Sequence, residues 1–397
     1  MSEPSPDLLR RLREGAADRD RDRRLPRAEI RELLDAGFGA ARVPVEHGGE
    51  GVDLATLFAR LIDLAAADSN VAHVFRGHLA FVEQQHFEPD AARRADWYGR
   101  VLAGDFVGNA QSELSGTSDL ATTLTERDGG LRLDGRKYYT TGSLYADWID
   151  LSARHRGEDH QVIVSTHVDG VESVDDWAGF GQRLTGSGTT TFTDVVVDPA
   201  RVRPYALDDD GFRHPYLMGF FQLVLLAVVA GIGRAAVDDA VAFVQPRRRI
   251  FGFGGEALPR QDPLVQSVVG RLSSAAFAAR ATVLEAARSL DTALDGYRLG
   301  EGDPAAFTRA QLDVYRAQQT VLPSVIQATG ELFEVGGASS VDVGRGLDRH
   351  WRNARTVATH NPSVQRQRAL GDWELNGVVP LFNQPQNPTP AATGASS

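Results

Sequence analysis

Residues 216–233 have the sequence YLMGFFQLVLLAVVAGIG, in which Gln222 is the only strongly polar side chain. A run of this length lies at the lower limit for a helix that crosses a membrane. The alternative is a fully buried helix in a large helical core. We favour it, because a single span would leave a long helical domain on each side without explanation. We therefore expect no membrane association, and a cytoplasmic location.

Two long helical patterns follow this segment. Asp262-Pro263 begins one and Asp303-Pro304 begins the next, and apolar residues recur in both at the spacing of one helix face. Together with the apolar segment they predict a bundle. We assign residues 206–397 to a C-terminal four-helix bundle, and we expect its low-complexity end, Gln384–Ser397, to be mobile.

The preceding region, residues 106–205, has a different pattern. Short runs rich in β-branched residues alternate with turn residues, and Asp134-Gly135 gives a hairpin signal between two extended runs. These features predict a small antiparallel barrel or sandwich. Residues 1–105 show helical periodicity instead, for example over Leu54–Ala67, and predict an N-terminal helical domain. The fold class is α+β, mostly α.

The amino-acid composition argues against several classes of function and of site. The chain has 397 residues, with 42 basic and 53 acidic side chains and a net charge of −11, which argues against nucleic-acid binding. It has no cysteine, which excludes disulfides, iron–sulfur clusters and thiolate zinc sites. Its ten histidines are scattered without an HExxH motif, so we expect no metal site.

Three local features contain residue types suited to binding or catalysis, and each also has a purely structural interpretation. Arg247–Arg249 is either a solvated helix end or an anion site for one phosphate. Ser112–Asp119 is either an ordinary turn after a strand or a loop whose N–H and hydroxyl groups hold a polar ring edge. His360 is the type of side chain best suited to proton transfer near neutral pH, although a lone histidine usually has a packing role.

Three segments resemble motifs of the acyl-CoA dehydrogenase superfamily, in the superfamily's order. Val43–Gly49 is similar to P-E-x-x-G-G, Ser112–Asp119 to T-E-P-G-A-G-S-D, and Lys137–Gly142 to K-x-W-I-T-N-G. The resemblance covers nearly the whole chain. It implies an acyl-CoA dehydrogenase-like fold, with an N-terminal helical domain, a middle antiparallel β-barrel and a C-terminal four-helix bundle.

The resemblance also implies a flavin and the residues that bind it. It places Gln111 and Ser112 on the polar edge of the isoalloxazine ring and Ser118 near the phosphate side. It also places Tyr139 and Thr141 beside the reactive ring. The remaining residues of this set are Asn109, Gly336 and Gly337.

One departure from the superfamily bears on the reaction. Most of these dehydrogenases remove the substrate α-proton with a glutamate in the C-terminal bundle, and Asn361 stands at that position here. An amide cannot accept that proton at neutral pH. This argues against dehydrogenation, although an acyl-CoA dehydrogenase that uses FAD and has a displaced base stays an alternative.

Other segments resemble the flavin-dependent monooxygenases built on this fold, and the dibenzothiophene monooxygenase group in particular. Residues 72–78 are similar to its G-H-x-F-G-Y-H, and 175–188 to its D-D-W-x-x-x-G…T-x-S-G. Residues 333–337 and 350–362 are similar to its F-E-V-x-G and F-W-R-N-x-R-T…H-D-P.

This branch implies a cofactor and partners. It mostly uses reduced FMN, which a separate NAD(P)H:flavin reductase supplies by diffusion. Arg248 and Arg249 match its phosphate clamp, which reaches from a neighbouring subunit of a homotetramer. The adenine-binding G-G-x-G turn of the dehydrogenases becomes Gly336-Gly337-Ala338-Ser339 here and loses its last glycine. We therefore favour FMN, with FAD as the alternative.

The implied reaction is oxygenation of a small hydrophobic substrate by O₂ through a flavin C4a-hydroperoxide. The expected catalytic residues are His360, Thr141 and His78, and the expected substrate-binding residues are His73, His78 and Asn361. For His78, helix packing is the alternative. The oxygenated atom is sulfur, nitrogen or an aromatic carbon, and the sequence does not choose among them. A flavin-binding scaffold without chemistry is the alternative outside enzymes.

Overall fold

The structure is a computed structural model that describes residues 3–114, 120–127, 129–204, 213–249 and 258–380. Its N-terminal region is helical, as predicted. The helices are α1 (Pro6–Asp22), α2 (Arg27–Asp35), α3 (Leu54–Ala67), α4 (Ser69–Val74), α5 (Arg76–Gln84) and α6 (Ala91–Leu102). The Asp53 side chain caps α3 by accepting the Thr56 N–H at 2.6 Å. The helical pattern of residues 71–83 is divided between α4 and α5, which meet at Phe75.

The middle region forms one sheet with the strand order β6-β7-β3-β2-β4-β5-β8, and β1 pairs with β4. The strands are β1 (Val107–Ala110), β2 (Thr123–Arg127), β3 (Gly130–Lys137), β4 (Trp148–His155), β5 (Glu158–Ser165), β6 (Val171–Ser173), β7 (Thr190–Val197) and β8 (Val202–Pro204). The sheet is mixed, where a wholly antiparallel one was predicted, because β4 pairs in parallel with β1 and with β2.

The hairpin predicted at Asp134-Gly135 is wrong. Strand β3 continues through these residues, and its register against β7 shifts between Leu133 and Gly135. A Cβ at Gly135 would lie 2.5 Å from Thr122 Oγ1. The glycine therefore permits a bulge and a close approach of two chain segments. The turn lies between β2 and β3, where Arg127 pairs with Gly130.

The C-terminal region is helical again. Its helices are α7 (Arg213–Val244), α8 (Pro263–Arg298), α9 (Pro304–Glu331), α10 (Asp348–Ala358) and α11 (Ser363–Asn376). Asp262 and Asp303 cap α8 and α9, and the prolines that follow them occupy the first helical positions, as the sequence predicted. The segment Gln384–Ser397 lies outside the described residues.

Helix α7 contains the apolar segment 216–233. Among the described residues it is the one helix long and apolar enough to cross a membrane, and 89% of its most apolar window is buried inside the protein. It packs against α3, α8 and α9. One hydrophobic core joins all three regions through residues such as Leu57, Ile149 and Leu226. This burial favours the core-helix interpretation, and it fixes the regions relative to one another.

Candidate active site

A buried ion pair fixes the loop after β1. The Lys137 ammonium lies 2.7 Å from Glu113 Oε1, and Glu113 also accepts the backbone N–H groups of Ala121 and Thr122 at 2.7 and 3.0 Å. Burial alone would raise the pKa of Glu113, but these hydrogen bonds outweigh it and hold the pKa at about 2. The glutamate of this motif therefore has a structural role, as an anchor for both ends of the loop.

The two residues before this glutamate differ in what they leave available. The Gln111 amide donates to the Asp150 carbonyl at 3.1 Å, so it is partly engaged by the sheet. Ser112 is exposed, and its carbonyl accepts the Tyr138 N–H at 2.9 Å. Ser118, predicted near the phosphate, lies outside the described residues.

An aromatic surface lies beside this loop. Tyr139 has a left-handed backbone (φ 62°) and a side chain that is 46% exposed. Its ring packs edge-to-face against Tyr138 and Trp177, with centroids 4.8 and 6.0 Å away. The Asp176 carboxylate holds the Trp177 segment by accepting the N–H and the hydroxyl of Thr189, both at 2.7 Å. The surface is therefore built from two of the motifs quoted above, and it suits a flat ring.

Two polar groups at the edge of this surface have different environments. Thr141 Oγ1 lies 2.7 Å from Ser187 Oγ, which in turn lies 2.7 Å from Thr185 Oγ1. Asn109 Oδ1 is buried and has no hydrogen-bond partner among the described residues. Because a buried polar atom normally has a partner, this oxygen is a candidate acceptor for an N–H group of a bound ligand.

His73 lies on the helical side of the site. It is 5% exposed, its Nδ1 is 3.2 Å from Gln182 Oε1, and its Nε2 is buried without a partner among the described residues. Burial and the nearby charge of Arg76 lower its pKa to about 4, so it is neutral at physiological pH. Asn353 Oδ1 accepts the Gln182 N–H at 2.7 Å and holds this residue in place.

The turn after α10 brings His360 and Asn361 to the same region. Asn361 Nδ2 donates to Gln222 Oε1 at 2.7 Å, and Gln318 donates to the Asn361 carbonyl at 3.0 Å. His360 is solvent-accessible, and its Nδ1 is 3.4 Å from Asn361 Oδ1. Desolvation by the surrounding protein, together with Arg76 and His73, lowers the pKa of His360. Gln222 was not predicted as a site residue, although its polarity within an apolar run was a signal.

His78 does not have the predicted role. Its Nδ1 accepts the Val107 N–H at 3.1 Å and its Nε2 lies 3.1 Å from the Gly39 carbonyl, to which it donates. Its ring stacks on Phe106, with centroids 4.8 Å apart. Neither ring nitrogen is left for a substrate or for proton transfer, so we assign His78 to packing, the alternative that the sequence left open.

The predicted phosphate-binding arginines lie far from this region in the same chain. Arg248 and Arg249 are exposed and follow the end of α7 at Val244. Gln222 is near the other end of that helix, and the helical rise separates it from Val244 by about 33 Å. Gly336 serves packing, because a Cβ there would overlap the Phe243 ring. Gly337, with a φ of 56°, has no such neighbour among the described residues.

Comparison with known proteins identifies the fold family. The profile of the acyl-CoA dehydrogenase N-terminal domain matches residues 8–105, and that of the C-terminal domain matches residues 223–364. The two together cover more than half of the chain, which therefore belongs to the acyl-CoA dehydrogenase family. Within it, the chain is a member of the flavin-dependent monooxygenases of this fold, and the resemblance to the dibenzothiophene monooxygenase group is confirmed.

Similar proteins cover almost the full length of this chain. A dibenzothiophene monooxygenase of Rhodococcus qingshengii is 28% identical, over 94% of this chain and 93% of its own. A probable FMNH₂-dependent monooxygenase of Pseudomonas putida is 27% identical, over 94% of each chain. The crystal structure of TdsC from Paenibacillus sp. A11-2 with FMN and indole has a TM-score of 0.88 at 26% identity, and covers 95% of this chain and 97% of its own.

Proposed function

We propose that this protein is the oxygenase of a two-component system, which uses reduced FMN and O₂ to oxygenate a small molecule at sulfur, nitrogen or an aromatic carbon. One oxygen atom enters the substrate and the other leaves as water, while the reduced flavin is oxidised. The observation that carries the proposal is the turn after α10. It presents His360 and an amide, Asn361 held by Gln222, where a dehydrogenase of this fold needs a carboxylate base.

The candidate residues in the sheet region are suited to binding a flavin ring. Asn109 Oδ1 is free to accept a ring N–H, exposed Tyr139 offers an aromatic face, and Thr141 brings a hydroxyl to the same edge. When bound, reduced FMN supplies the electrons that activate O₂. The chain supplies the pocket that keeps water away from the reacting atoms.

His360 has a defined protonation state in this site. Asn361 Nδ2 donates to Gln222, so Asn361 Oδ1 faces the imidazole and accepts from His360 Nδ1. The lowered pKa keeps the ring neutral, which leaves Nε2 as an acceptor. His360 therefore orients a hydroxyl or N–H group in the pocket by accepting its hydrogen, and can take up its proton.

The phosphate of FMN requires another subunit. Arg248 and Arg249 are exposed cations that follow α7, whose rise puts Val244 about 33 Å from Gln222, so they are too far to serve the pocket of their own chain. We propose that they bind the phosphate at a neighbouring subunit of a homotetramer. A cytoplasmic NAD(P)H:flavin reductase would deliver reduced FMN by diffusion.

The test supplies purified protein with reduced FMN, O₂ and a panel of small thioethers, and measures oxygenated product against H₂O₂. We expect product from the wild type. His360→Ala should abolish oxygenation and release H₂O₂ instead, with FMN affinity unchanged within about twofold, because the His360 side chain has no hydrogen bond to a described residue assigned to the ring. His167→Ala, which removes an exposed histidine, is the matched control.

Two results would overturn parts of this proposal. Full oxygenation by His360→Ala would remove its catalytic role. Tightly bound FAD that an acyl-CoA reduces without any reductase would identify a dehydrogenase with a displaced base, and the proposed function would be wrong.

A further inference from the structure

Arg76 begins α5, between His73 and the α7 side of the candidate site. It is 8% exposed. Its Nε donates to the Phe221 carbonyl at 3.3 Å, and its guanidinium lies 4.7 Å from the centroid of the Phe221 ring. Among the described residues no carboxylate pairs with it. A buried cation that has no counter-ion among the described residues is therefore one wall of this site.

Such a group is energetically unusual. Buried arginines are normally paired, because removing the charge from water carries a large desolvation penalty. Burial lowers the pKa of Arg76 to about 10, yet the group stays protonated at neutral pH. One of its five N–H donors is used by the Phe221 carbonyl. The others form a fork that matches a two-oxygen anion.

The residues around Arg76 place its remaining N–H groups at the candidate site. Arg76 begins α5 three residues after His73, which lies in α4. Burial lowers the pKa of His73 and of His360, and the charge of Arg76 adds to this. Phe221, on which it stacks, precedes Gln222, the residue that holds Asn361. These contacts are on the α7 side, whereas Asn109 and Tyr139 belong to the sheet region.

The sequence around Arg76 departs from the motif to which it was compared. Where that motif has Gly-Tyr, this chain has Arg76-Gly77. The exchange adds a long cation at one position and removes a phenol at the next. Gly77 packs closely, since a Cβ there would lie 3.0 Å from Asn109 Cβ and Oδ1.

We propose that Arg76 is a specificity-determining residue and that the substrate is an organic anion, whose carboxylate or sulfur oxyanion pairs with the guanidinium. This inference rests on the proposed function, because it names the substrate class of the same site. The oxyanion supplies the counter-ion that the described part of the chain lacks, and it orients the oxidisable atom toward the residues proposed to bind the flavin.

The test uses two pairs of thioethers with the same sulfur: (phenylthio)acetate with (phenylthio)acetamide, and (methylthio)acetate with (methylthio)acetamide. Binding is measured with oxidised FMN-loaded protein through the change in flavin absorbance, and oxygenation is measured separately as sulfoxide. We expect each acid to bind roughly 10- to 100-fold more tightly than its amide, as for a charge-assisted bidentate contact.

Variants of Arg76 test whether this residue causes the preference for the acids over the amides. Arg76→Gln should remove it and Arg76→Lys should retain part of it, with FMN affinity unchanged within about twofold. Arg234→Gln, which changes an exposed arginine of the same helix that carries Phe221, should leave it unchanged. A thermal midpoint for each variant separates loss of binding from loss of folding.

The outcomes distinguish the two proposals. Equal binding of acid and amide, failure of both acids to bind, or an unchanged preference in Arg76→Gln would overturn the inference, as would a large loss of FMN affinity in that variant. Oxygenation of the amides as efficiently as the acids would overturn it while the proposed function stands. Selective, Arg76-dependent binding of the acids without any sulfoxide would support the inference and count against the proposed function.

Discussion

Two buried arginines, Arg42 and Arg76, lie in the N-terminal region and have opposite surroundings. Arg42 is 3% exposed and donates to both oxygens of Glu83, at 2.6 and 3.2 Å. It also lies 3.4 Å from Asp291 Oδ1. Arg76 is 8% exposed and has a carbonyl and a phenyl ring as its neighbours, but no carboxylate among the described residues.

The difference separates a structural charge from a functional one. Burial disfavours both cations, but Glu83 and Asp291 more than offset it at Arg42 and raise its pKa. At Arg76 no carboxylate of the described residues offsets burial, and the pKa falls to about 10. Within the described residues the fold neutralises one buried arginine and leaves the other without a carboxylate, and this contrast is what the proposed anionic substrate would explain.

The largest expected effect comes from breaking the paired site. Arg42→Met leaves Glu83, which is fully buried, without its cation, and we expect a loss of about 3–5 kcal/mol in the free energy of unfolding. Arg76→Met removes a cation without abandoning a carboxylate, so we expect a change within about 1 kcal/mol in either direction. Urea unfolding of both variants measures the contrast.

The double variant Arg42→Met/Glu83→Gln is the control for this interpretation. It removes the unpaired carboxylate, so it should recover part of the stability that Arg42→Met loses. Equal losses at the two arginines would contradict the distinction between them.

The next effect follows from pH, and for each histidine and pH unit it is smaller than the loss expected at Arg42. Burial lowers the pKa of His73, beside Arg76, and of His78 to about 4, and that of His86 to about 3. Because these values lie below the unfolded value near 6.5, the unfolded state binds more protons as the pH falls between about 6.5 and 4. Stability should therefore decrease on acidification, by up to about 1.4 kcal/mol per pH unit for each histidine.

The paired arginine is less sensitive to this pH range, because the pKa of Glu83 is lowered and its carboxylate is therefore ionised over most of the range. Thermal midpoints measured between pH 7 and 4 test this. His73→Gln should reduce the dependence on pH, and His167→Gln, at an exposed position, should not. A flat profile in the wild type would refute the buried-histidine explanation.

Local sequence rules predicted those parts of the fold that depend on neighbouring residues. Helix α3 has the predicted bounds, Leu54 to Ala67, because one face is apolar and Asp53 caps it. These local rules failed where contacts between distant segments of the chain determine the structure. Gly135 looked like a turn because glycine favours turns, but the approach of Thr122 is what requires it.

In the candidate site, too, local sequence patterns do not predict contacts between distant residues. Asn361 could be located through the resemblance, but its partner Gln222 lies 139 residues away, and no local pattern predicts that pairing. The role of His78 depends on Gly39 and Val107, which satisfy both of its nitrogens. Arg42 and Arg76 are the same residue type, and what distinguishes them is whether the fold brings a carboxylate to each.

The smallest effect is expected for an arginine in water, which completes the comparison. Arg316 lies 2.6 Å from Glu374 and 2.8 Å from Asp313, so its pairing distances match those of Arg42, but its side chain is 46% exposed. Solvent screens such a pair, so we expect Arg316→Gln to lose less than about 1 kcal/mol, and we expect this loss to vanish near about 1 M NaCl. The loss in Arg42→Met should persist at that salt concentration, because the buried pair is poorly screened. Urea unfolding at low and high salt measures both. A loss at Arg316 that is insensitive to salt would mean that pairing distance rather than burial determines what an arginine contributes, and the contrast between Arg42 and Arg76 would then need another explanation.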